Sequence, residues 1–261
     1  MVELVIANTF HRFMDKGRTS PAIFSCSGKH GDSEFVVKLR GGMDLGAGAQ
    51  MCELYASLLA AHFGISCPSP AIVLIEQDLA EATARYLSGD GRGQQIMRNS
   101  VGLNFGSQFL TNLATWPVDK SIPVPLEEAA LKIFAFDALI QNPDRTFQNP
   151  NLGTRGDDLF VYDHESAFSF ILPIFPNETP WLLTSESYLE KHVFANLLGE
   201  VPFPLEFIKS LADLSSSVIK LFSEQIPVEW RSSYVEKIES HLESLHEHSA
   251  EFADEVMRRL A

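Results

Sequence analysis

Two polar loops in the second half of the chain carry the residue types that phosphoryl transfer requires. The first loop follows an apolar helical segment and contains Asp144 and Asn149 in the spacing D-x-x-x-x-N. The second follows the apolar run 159–162 and begins with Asp163. In phosphoryl transfer, one carboxylate accepts the proton of the attacking hydroxyl, while an amide oxygen and a second carboxylate hold the metal ions. The residue types therefore predict Asp144 as the base, with Asn149 and Asp163 as Mg²⁺ ligands.

The alternative interpretation of the first loop is an ordinary turn. Asn, Asp and Pro are common in loops for conformational reasons. The D-x-x-x-x-N spacing is that of the catalytic loop of kinases, but it also occurs by chance in many long chains. The interpretation of Asp144 and Asn149 as functional residues therefore depends on whether the rest of the chain supplies the other groups that hold a nucleotide.

Lys38 is the first of these groups. It lies in the apolar run EFVVKL, which predicts a strand over residues 34–39. A lysine among apolar residues costs free energy unless it has a partner or a function. In kinases, a lysine at the end of a comparable V-A-I-K run binds the α- and β-phosphates. The alternative is an edge-strand lysine that discourages aggregation.

Glu53 is the candidate partner of this lysine. It is the one acidic residue of the predicted helix 47–63, and it shares a face of small residues with Ala49, Ser57 and Ala60. A single charge on such a face could reach back to a strand lysine. The alternative is a helix face exposed to solvent.

A polar loop at residues 16–21 (KGRTSP) precedes the first predicted hairpin strand, about one hairpin upstream of Lys38. Backbone amides of this loop, together with Gly17, Arg18 and Ser20, could bind phosphate oxygens. The loop lacks a G-x-G-x-x-G motif, so an ordinary turn remains open. The chain also has no G-x-x-x-x-G-K-[ST] motif, which excludes a P-loop NTPase.

Composition restricts the partners and the compartment. The 261 residues carry a net charge of −14, which argues against non-specific binding to nucleic acids or to an anionic membrane. We find no membrane-spanning stretch and no signal peptide. The three cysteines show no C-x-x-C spacing and are expected to be free thiols. These features predict a cytoplasmic protein.

Hydrophobic periodicity predicts an α+β protein of two lobes. We place a β-rich N-terminal lobe at residues 1–110 and a mostly helical C-terminal lobe at 111–261. The strands are predicted at 20–25, 34–39 and 71–76. The helices are predicted at 47–63, 79–87, 126–141, 186–198, 205–224, 231–246 and in a last piece that ends at 260.

Taken together, these segments resemble the HipA-like kinase domain family, the stand-alone relatives of the bacterial HipA toxin serine/threonine kinases. The matching stretches are FVVKLRGG, AQMCELYASLLAAHFGISCPSPAIVLIE, VGLNFGSQFL, FDALIQNPDRTFQNPNL and LFVYDHESAF. They extend over residues 15–170 in a consistent order. The resemblance implies a two-lobed protein-kinase-like fold. The family commonly has D-R-H-x-x-N in the catalytic loop, where this chain has Thr146 in place of the histidine.

The resemblance also implies a role for each candidate residue. Lys38 would bind phosphate with Glu53 as its partner, and Asp144 would be the catalytic base. Asn149 and Asp163 would hold Mg²⁺, and the loop with Gly17, Arg18 and Ser20 would cover the phosphates of ATP.

The expected activity is ATP- and Mg²⁺-dependent transfer of the γ-phosphoryl group to a hydroxyl, with Ser or Thr of a protein as the acceptor. A catalytically silent nucleotide-binding module and a small-molecule kinase are the alternatives. An unidentified protein partner also stays open, and kinship alone suggests a toxin–antitoxin role.

Overall fold

The computed structural model describes residues 1–15, 19–117, 121–172, 177, 179–183, 186–195, 198 and 201–260, which form a mixed α/β fold. Two compact units are present. Unit 1 comprises Met1–Leu54, Pro68–Thr111 and Pro227–Arg231; unit 2 comprises Tyr55–Cys67, Asn112–Ile226 and Ser232–Ala261. The predicted two-lobed arrangement with a boundary at residue 110 stays a prediction.

Unit 1 contains a closed five-stranded sheet in the order β1-β2-β3-β5-β4. Its strands are β1 (Glu3–Phe13), β2 (Ala22–Gly28), β3 (Gly31–Lys38), β4 (Pro70–Ile75) and β5 (Gly102–Gln108). The pair β1–β4 is parallel, whereas the other four pairs are antiparallel. The predicted β2–β3 hairpin is confirmed, and Gly31 follows its tight turn at φ +100°.

Strand β1 closes the sheet, although the sequence analysis assigned no element there. Its pairing with β2 is irregular between Ala7 and Thr9 and again between Phe10 and Arg12. These irregularities interrupt the strict alternation of apolar and polar residues by which a half-buried strand is recognised. The inward side chains of the sheet pack with helices α2 (Gln77–Tyr86) and α3 (Gly91–Arg98) in one apolar core.

Helix α1 (Ala47–His62) confirms the helical pattern of the sequence. Gly64 follows it at φ +65°, a left-handed conformation that ends helices and favours glycine. The helix presents Glu53 one turn after Gln50, and both side chains are buried. Its first half belongs to unit 1.

Unit 2 combines helices with a small sheet of order β6-β7-β8. Its remaining elements are β6 (Ala114–Thr115), α4 (Glu127–Leu139), β7 (Leu152–Arg155), β8 (Asp158–Val161), α5 (Leu205–Ala212), α6 (Ser216–Glu224), α7 (Ser233–Glu247) and α8 (Ser249–Leu260). Helix α4 is buried on most sides, as its apolar composition predicts. No helix of the described ranges is long and apolar enough to cross a membrane.

Two helix predictions in unit 2 are wrong. The single helix predicted over 205–224 is two helices, because Ser215 takes an extended conformation at the start of α6. The helix predicted over 186–198 is a short 3-10 helix, Ser187–Lys191, followed by turns in the described residues. Here the backbone bonds to the Asp144 loop instead, since Val193 N–H donates to the Arg145 carbonyl at 3.1 Å.

Candidate functional site

Unit 1 brings Lys38 and Glu53 together as a buried ion pair. Lys38 Nζ lies 3.2 Å from Glu53 Oε1, and the two side chains are 9% and 2% exposed. Lys38 is the last residue of β3, and Glu53 lies on α1. Charges this deeply buried are tolerated when they are paired, which accounts for a lysine among apolar neighbours.

Gln50 holds the strand that carries Lys38 against helix α1. Its amide nitrogen donates to the Lys38 carbonyl at 2.7 Å, and its amide oxygen accepts from the N–H of Phe105 on β5. Gln50 therefore fixes the backbone at Lys38 one helical turn from the glutamate that binds the lysine side chain. Gln50 was not among the residues predicted to be functional. The signal in the sequence was a Gln one helical turn before Glu53, in a helix made mostly of apolar and small residues.

The predicted phosphate loop is only partly described. Gly17 and Arg18 lie outside the described residues, and Ser20 adopts a left-handed φ of 52°. Thr19 is buried against the turn that follows Lys38. A Cβ on Gly42 would lie 2.3 Å from the Thr19 carbonyl oxygen, so glycine is required for this close approach.

Unit 2 brings Asp144 and Asn149 together on one loop. Asn149 Nδ2 donates to Asp144 Oδ2 at 3.0 Å, and Asn151 Nδ2 donates to the same oxygen at 3.1 Å. Thr146 N–H closes the loop by donating to the carbonyls of Asp144 and Asn149. Asp144 is therefore oriented by two amide side chains, and Asn149 retains its amide oxygen for another ligand.

Asp163 lies two residues after the end of β8 and has φ +63°, a left-handed conformation in which Asp is enriched over most residues. One carboxylate oxygen of Asp163 lies within 4.8 Å of one of Glu165. Carboxylate and amide oxygens are the ligands that Mg²⁺ prefers in proteins. Asp163 and Glu165 therefore offer two neighbouring carboxylates of the type that holds Mg²⁺, and Glu165 is a ligand candidate that was not predicted from the sequence. The side chain of Asn149 lies on the Asp144 loop, and its role as a metal ligand stays a prediction.

A charged network that was not predicted lies beneath this loop. Arg145 is 1% exposed, and its Nε donates to Asp137 Oδ2 at 2.5 Å. Asp137 also accepts from Asn142 Nδ2 at 2.8 Å and from His192 Nε2 at 3.0 Å. Asp137 is the one charged residue within the buried apolar run FAFDAL, and an isolated carboxylate of this kind was the signal for a buried partner.

The network determines the charge of its members. Burial would raise the pKa of Asp137, but the Arg145 guanidinium and the hydrogen bond from His192 outweigh it and lower the pKa to about 2. Burial lowers the pKa of His192, and its hydrogen bond to Asp137 does not offset this. Phe194 N–H donates to His192 Nδ1, so Nε2 carries the proton that His192 shares with Asp137. The network is therefore one Asp–Arg ion pair with a neutral histidine.

A lysine paired with a glutamate, a carboxylate held by an amide and carboxylates that suit a metal ion are groups that phosphoryl transfer uses. The comparisons with known proteins agree. A family model described as HipA-like kinase matches residues 6–259, and the chain belongs to this family.

The chain is also similar to a solved structure, the crystal structure of a Helicobacter pylori proinflammatory kinase, CtkA. The TM-score is 0.51 and the identity 10%, over 97% of this chain and 95% of that chain. At this identity the likeness concerns the fold alone. No curated protein matches the chain.

Proposed function

We propose that this chain is an ATP- and Mg²⁺-dependent kinase that transfers the γ-phosphoryl group to a hydroxyl of a protein Ser or Thr. The observation that carries the proposal is the orientation of Asp144. Among the described residues, only its Oδ2 accepts side-chain hydrogen bonds, from Asn149 and Asn151. Its Oδ1 is therefore available to accept the proton of a substrate hydroxyl. Membership of a kinase family supports this role.

The other residues are assigned by what their atoms can do. Lys38, held by Glu53, would bind nucleotide phosphates, and Ser20, with Gly17 and Arg18, would contact them from the loop. The amide oxygen of Asn149 and the carboxylate of Asp163 would hold Mg²⁺. When bound, Mg²⁺ neutralises the charge that develops on the phosphates during transfer.

The proposal extends to the arrangement of the two lobes and to the cellular compartment. We assign a two-lobed protein-kinase-like arrangement with its boundary near residue 110, and a cytoplasmic protein that uses ATP there. The family membership and the likeness of fold support the two-lobed arrangement. The net charge of −14 supports a partner other than nucleic acid or an anionic membrane.

Incubation with γ-labelled ATP and Mg²⁺ tests the activity, first with the protein alone and then with cell extract as a source of acceptors. We compare the wild type with Asp144→Ala and with Asp157→Ala, which removes an exposed carboxylate in the β7–β8 turn. Label transfer by the wild type and Asp157→Ala, but not by Asp144→Ala, supports the proposal. Calorimetry should show that Asp144→Ala still binds ATP, whereas Asp163→Ala binds Mg·ATP more weakly.

The same measurements separate the alternatives. Full activity of Asp144→Ala would refute the assignment of the base. Mg·ATP binding without transfer to any acceptor would identify a silent nucleotide-binding module, the alternative suggested by Thr146 in place of the family's histidine. Transfer to a small molecule of the extract, and to no protein, would identify a metabolite kinase. A wild type that neither binds ATP nor transfers label would refute the kinase proposal.

A further inference from the structure

Arg145 is buried next to Asp144, and its contacts exceed what a simple ion pair requires. We propose that Arg145 is a positioning residue that holds the Asp144 loop and the Asp163 loop in one fixed arrangement. This inference rests on the proposed kinase function, because it assigns Arg145 a role in that reaction. The residue would touch neither ATP nor the acceptor and would act through its neighbours.

The guanidinium reaches the residues on both sides of Asp163. Nη1 donates to the Tyr162 carbonyl at 3.4 Å, and Nη2 lies 3.1 Å from His164 Nε2. Because a guanidinium has donors only, His164 Nε2 must accept this hydrogen bond. Arg145 follows Asp144 directly in the chain, so one side chain links the candidate base to the backbone that presents the candidate metal ligand.

A second contact links Arg145 to the side-chain partners of Asp144. Arg145 Nη1 also donates to the carbonyl of Asn151, and Asn151 Nδ2 donates to Asp144 Oδ2 at 3.1 Å. Arg145 thus holds the backbone of Asn151, while the Asn151 side chain holds the carboxylate of Asp144. Displacement of the guanidinium would move Asn151 and, through it, Asp144.

Asp137 fixes the position and charge of the guanidinium. The Asp137 carboxylate is fully buried on helix α4, bonds Arg145 Nε and has a lowered pKa, so it is ionised at neutral pH. Four acceptors surround the planar fork of Arg145: Asp137, Asn151, Tyr162 and His164. A lysine supplies one compact ammonium group and cannot span four acceptors in this geometry.

Arg145→Lys tests this role because it keeps the positive charge next to Asp137. We expect kcat to fall by about 100-fold, the size of effect that a misplacement of about 1 Å produces. At saturating Mg²⁺ the KM for ATP should change less than about threefold, because Lys38 and the nucleotide-binding loop are untouched. Calorimetric titration with Mg²⁺ and a non-hydrolysable ATP analogue should show about tenfold weaker metal binding, since Asp163 loses its support.

Leu242→Ala is the control for a purely structural effect. Leu242 is fully buried in α7, so its truncation should lower the free energy of unfolding by about 2–5 kcal/mol. Below the melting temperature, kcat and Mg²⁺ affinity should not change. If Arg145→Lys matches Leu242→Ala in both parameters, the residue only stabilises the fold and the inference is refuted.

His164 provides a second test if Arg145→Lys does not fold. His164→Leu removes the acceptor of the Arg145 Nη2 hydrogen bond, whereas His164→Gln retains an acceptor oxygen. Weakened Mg²⁺ binding in His164→Leu, with recovery in His164→Gln, supports the inference. Equal Mg²⁺ affinity in both variants overturns it. Both titrations require nucleotide binding but no turnover, so a wild type that binds Mg·ATP without transferring label would refute the kinase proposal and leave this test valid.

Discussion

The hydroxyl oxygen of Thr146 accepts a hydrogen bond from the backbone N–H of Asn149, with 3.2 Å between Oγ1 and N. Thr146 stands where the family commonly has histidine, and this bond assigns it a structural role in the loop. It fixes the residue whose side chain orients Asp144.

Thr146→Val retains the shape of the side chain and removes the acceptor. We expect a loss of about 1 kcal/mol in the free energy of unfolding, because Asn149 N–H loses an intramolecular partner. The kcat should fall as Asn149 becomes less ordered, whereas Thr146→Ser should retain both properties. Urea unfolding and label transfer measure the two effects, and equal kcat values for Val and Ser variants would contradict this role.

The Lys38–Glu53 pair predicts that stability and nucleotide binding can be separated. Lys38→Met should lower the free energy of unfolding by about 3–5 kcal/mol, because it breaks a buried ion pair at 3.2 Å. The double variant Lys38→Met/Glu53→Gln should recover much of this stability but should not recover ATP binding. Chemical denaturation and calorimetry measure these properties.

Lys209→Met serves as the matched control, since Lys209 forms an exposed ion pair with Glu206 at 2.7 Å. We expect no resolvable change in stability from this variant, because solvent weakens exposed pairs. A double variant that binds ATP like the wild type would exclude Lys38 from nucleotide binding.

The close approach of Gly42 to Thr19 predicts that a single methyl group disturbs the loop proposed to bind nucleotide. Gly42→Ala should lower the free energy of unfolding by about 1–3 kcal/mol, because the new Cβ would lie 2.3 Å from the Thr19 carbonyl oxygen. It should also weaken ATP binding, since Thr19 ends the loop that contains Gly17 and Arg18. Gly91→Ala is the control, because no atom lies within 4 Å of its added Cβ. Equal ATP affinities in the two variants would show that the contact between Gly42 and Thr19 does not affect ATP binding.

The buried His241 predicts a loss of stability in mild acid. It stacks on Phe170 with 3.9 Å between ring centroids, and burial lowers its pKa from 6.5 to about 4 despite its hydrogen bond to the Leu139 carbonyl. Between these two pKa values the unfolded chain binds a proton that the folded chain does not. The free energy of unfolding should therefore decrease as the pH falls from 6.5 to 4.

The loss should approach about 3 kcal/mol, because each pKa unit corresponds to about 1.4 kcal/mol. His241→Gln retains a donor for the Leu139 carbonyl but cannot titrate in this range. Urea unfolding from pH 7 to pH 4 should therefore show a shallower decline for the variant than for the wild type. Parallel curves would mean that other groups cause the decline.

The parts of the fold that were predicted correctly are those in which local pattern and tertiary environment agree. The β2–β3 hairpin has a tight turn with glycine, and α1 has a clear helical repeat that ends before Gly64. Helix α3 was missed because Gly91 and Gly93 lower helix propensity. The side chain of Asp90 compensates for this by accepting a hydrogen bond from Gly93 N–H at 2.9 Å.

The candidate site shows the same division. Lys38 and Asp144 could be proposed from residue type, and the Lys38–Glu53 pair was expected from a lone charge on a helix face of small residues. Arg145 and His192 could not be placed, because their roles depend on the buried carboxylate of Asp137, which lies on another element. No periodicity in the sequence specifies which buried charges meet.

The parallel pairing of β1 with β4 has a consequence for how quickly unit 1 folds. Glu3 pairs with Ala71, 71 − 3 = 68 positions away, whereas β2 and β3 pair across a tight turn. Closing a long loop costs chain entropy before the contacts that it brings together can stabilise the chain. Pairings between distant segments therefore form slowly. We therefore expect the hairpin to form first and the β1–β4 pairing to set the folding rate. Stopped-flow kinetics should show that Val5→Ala slows folding, because Val5 pairs with Val73 in the step that limits the rate.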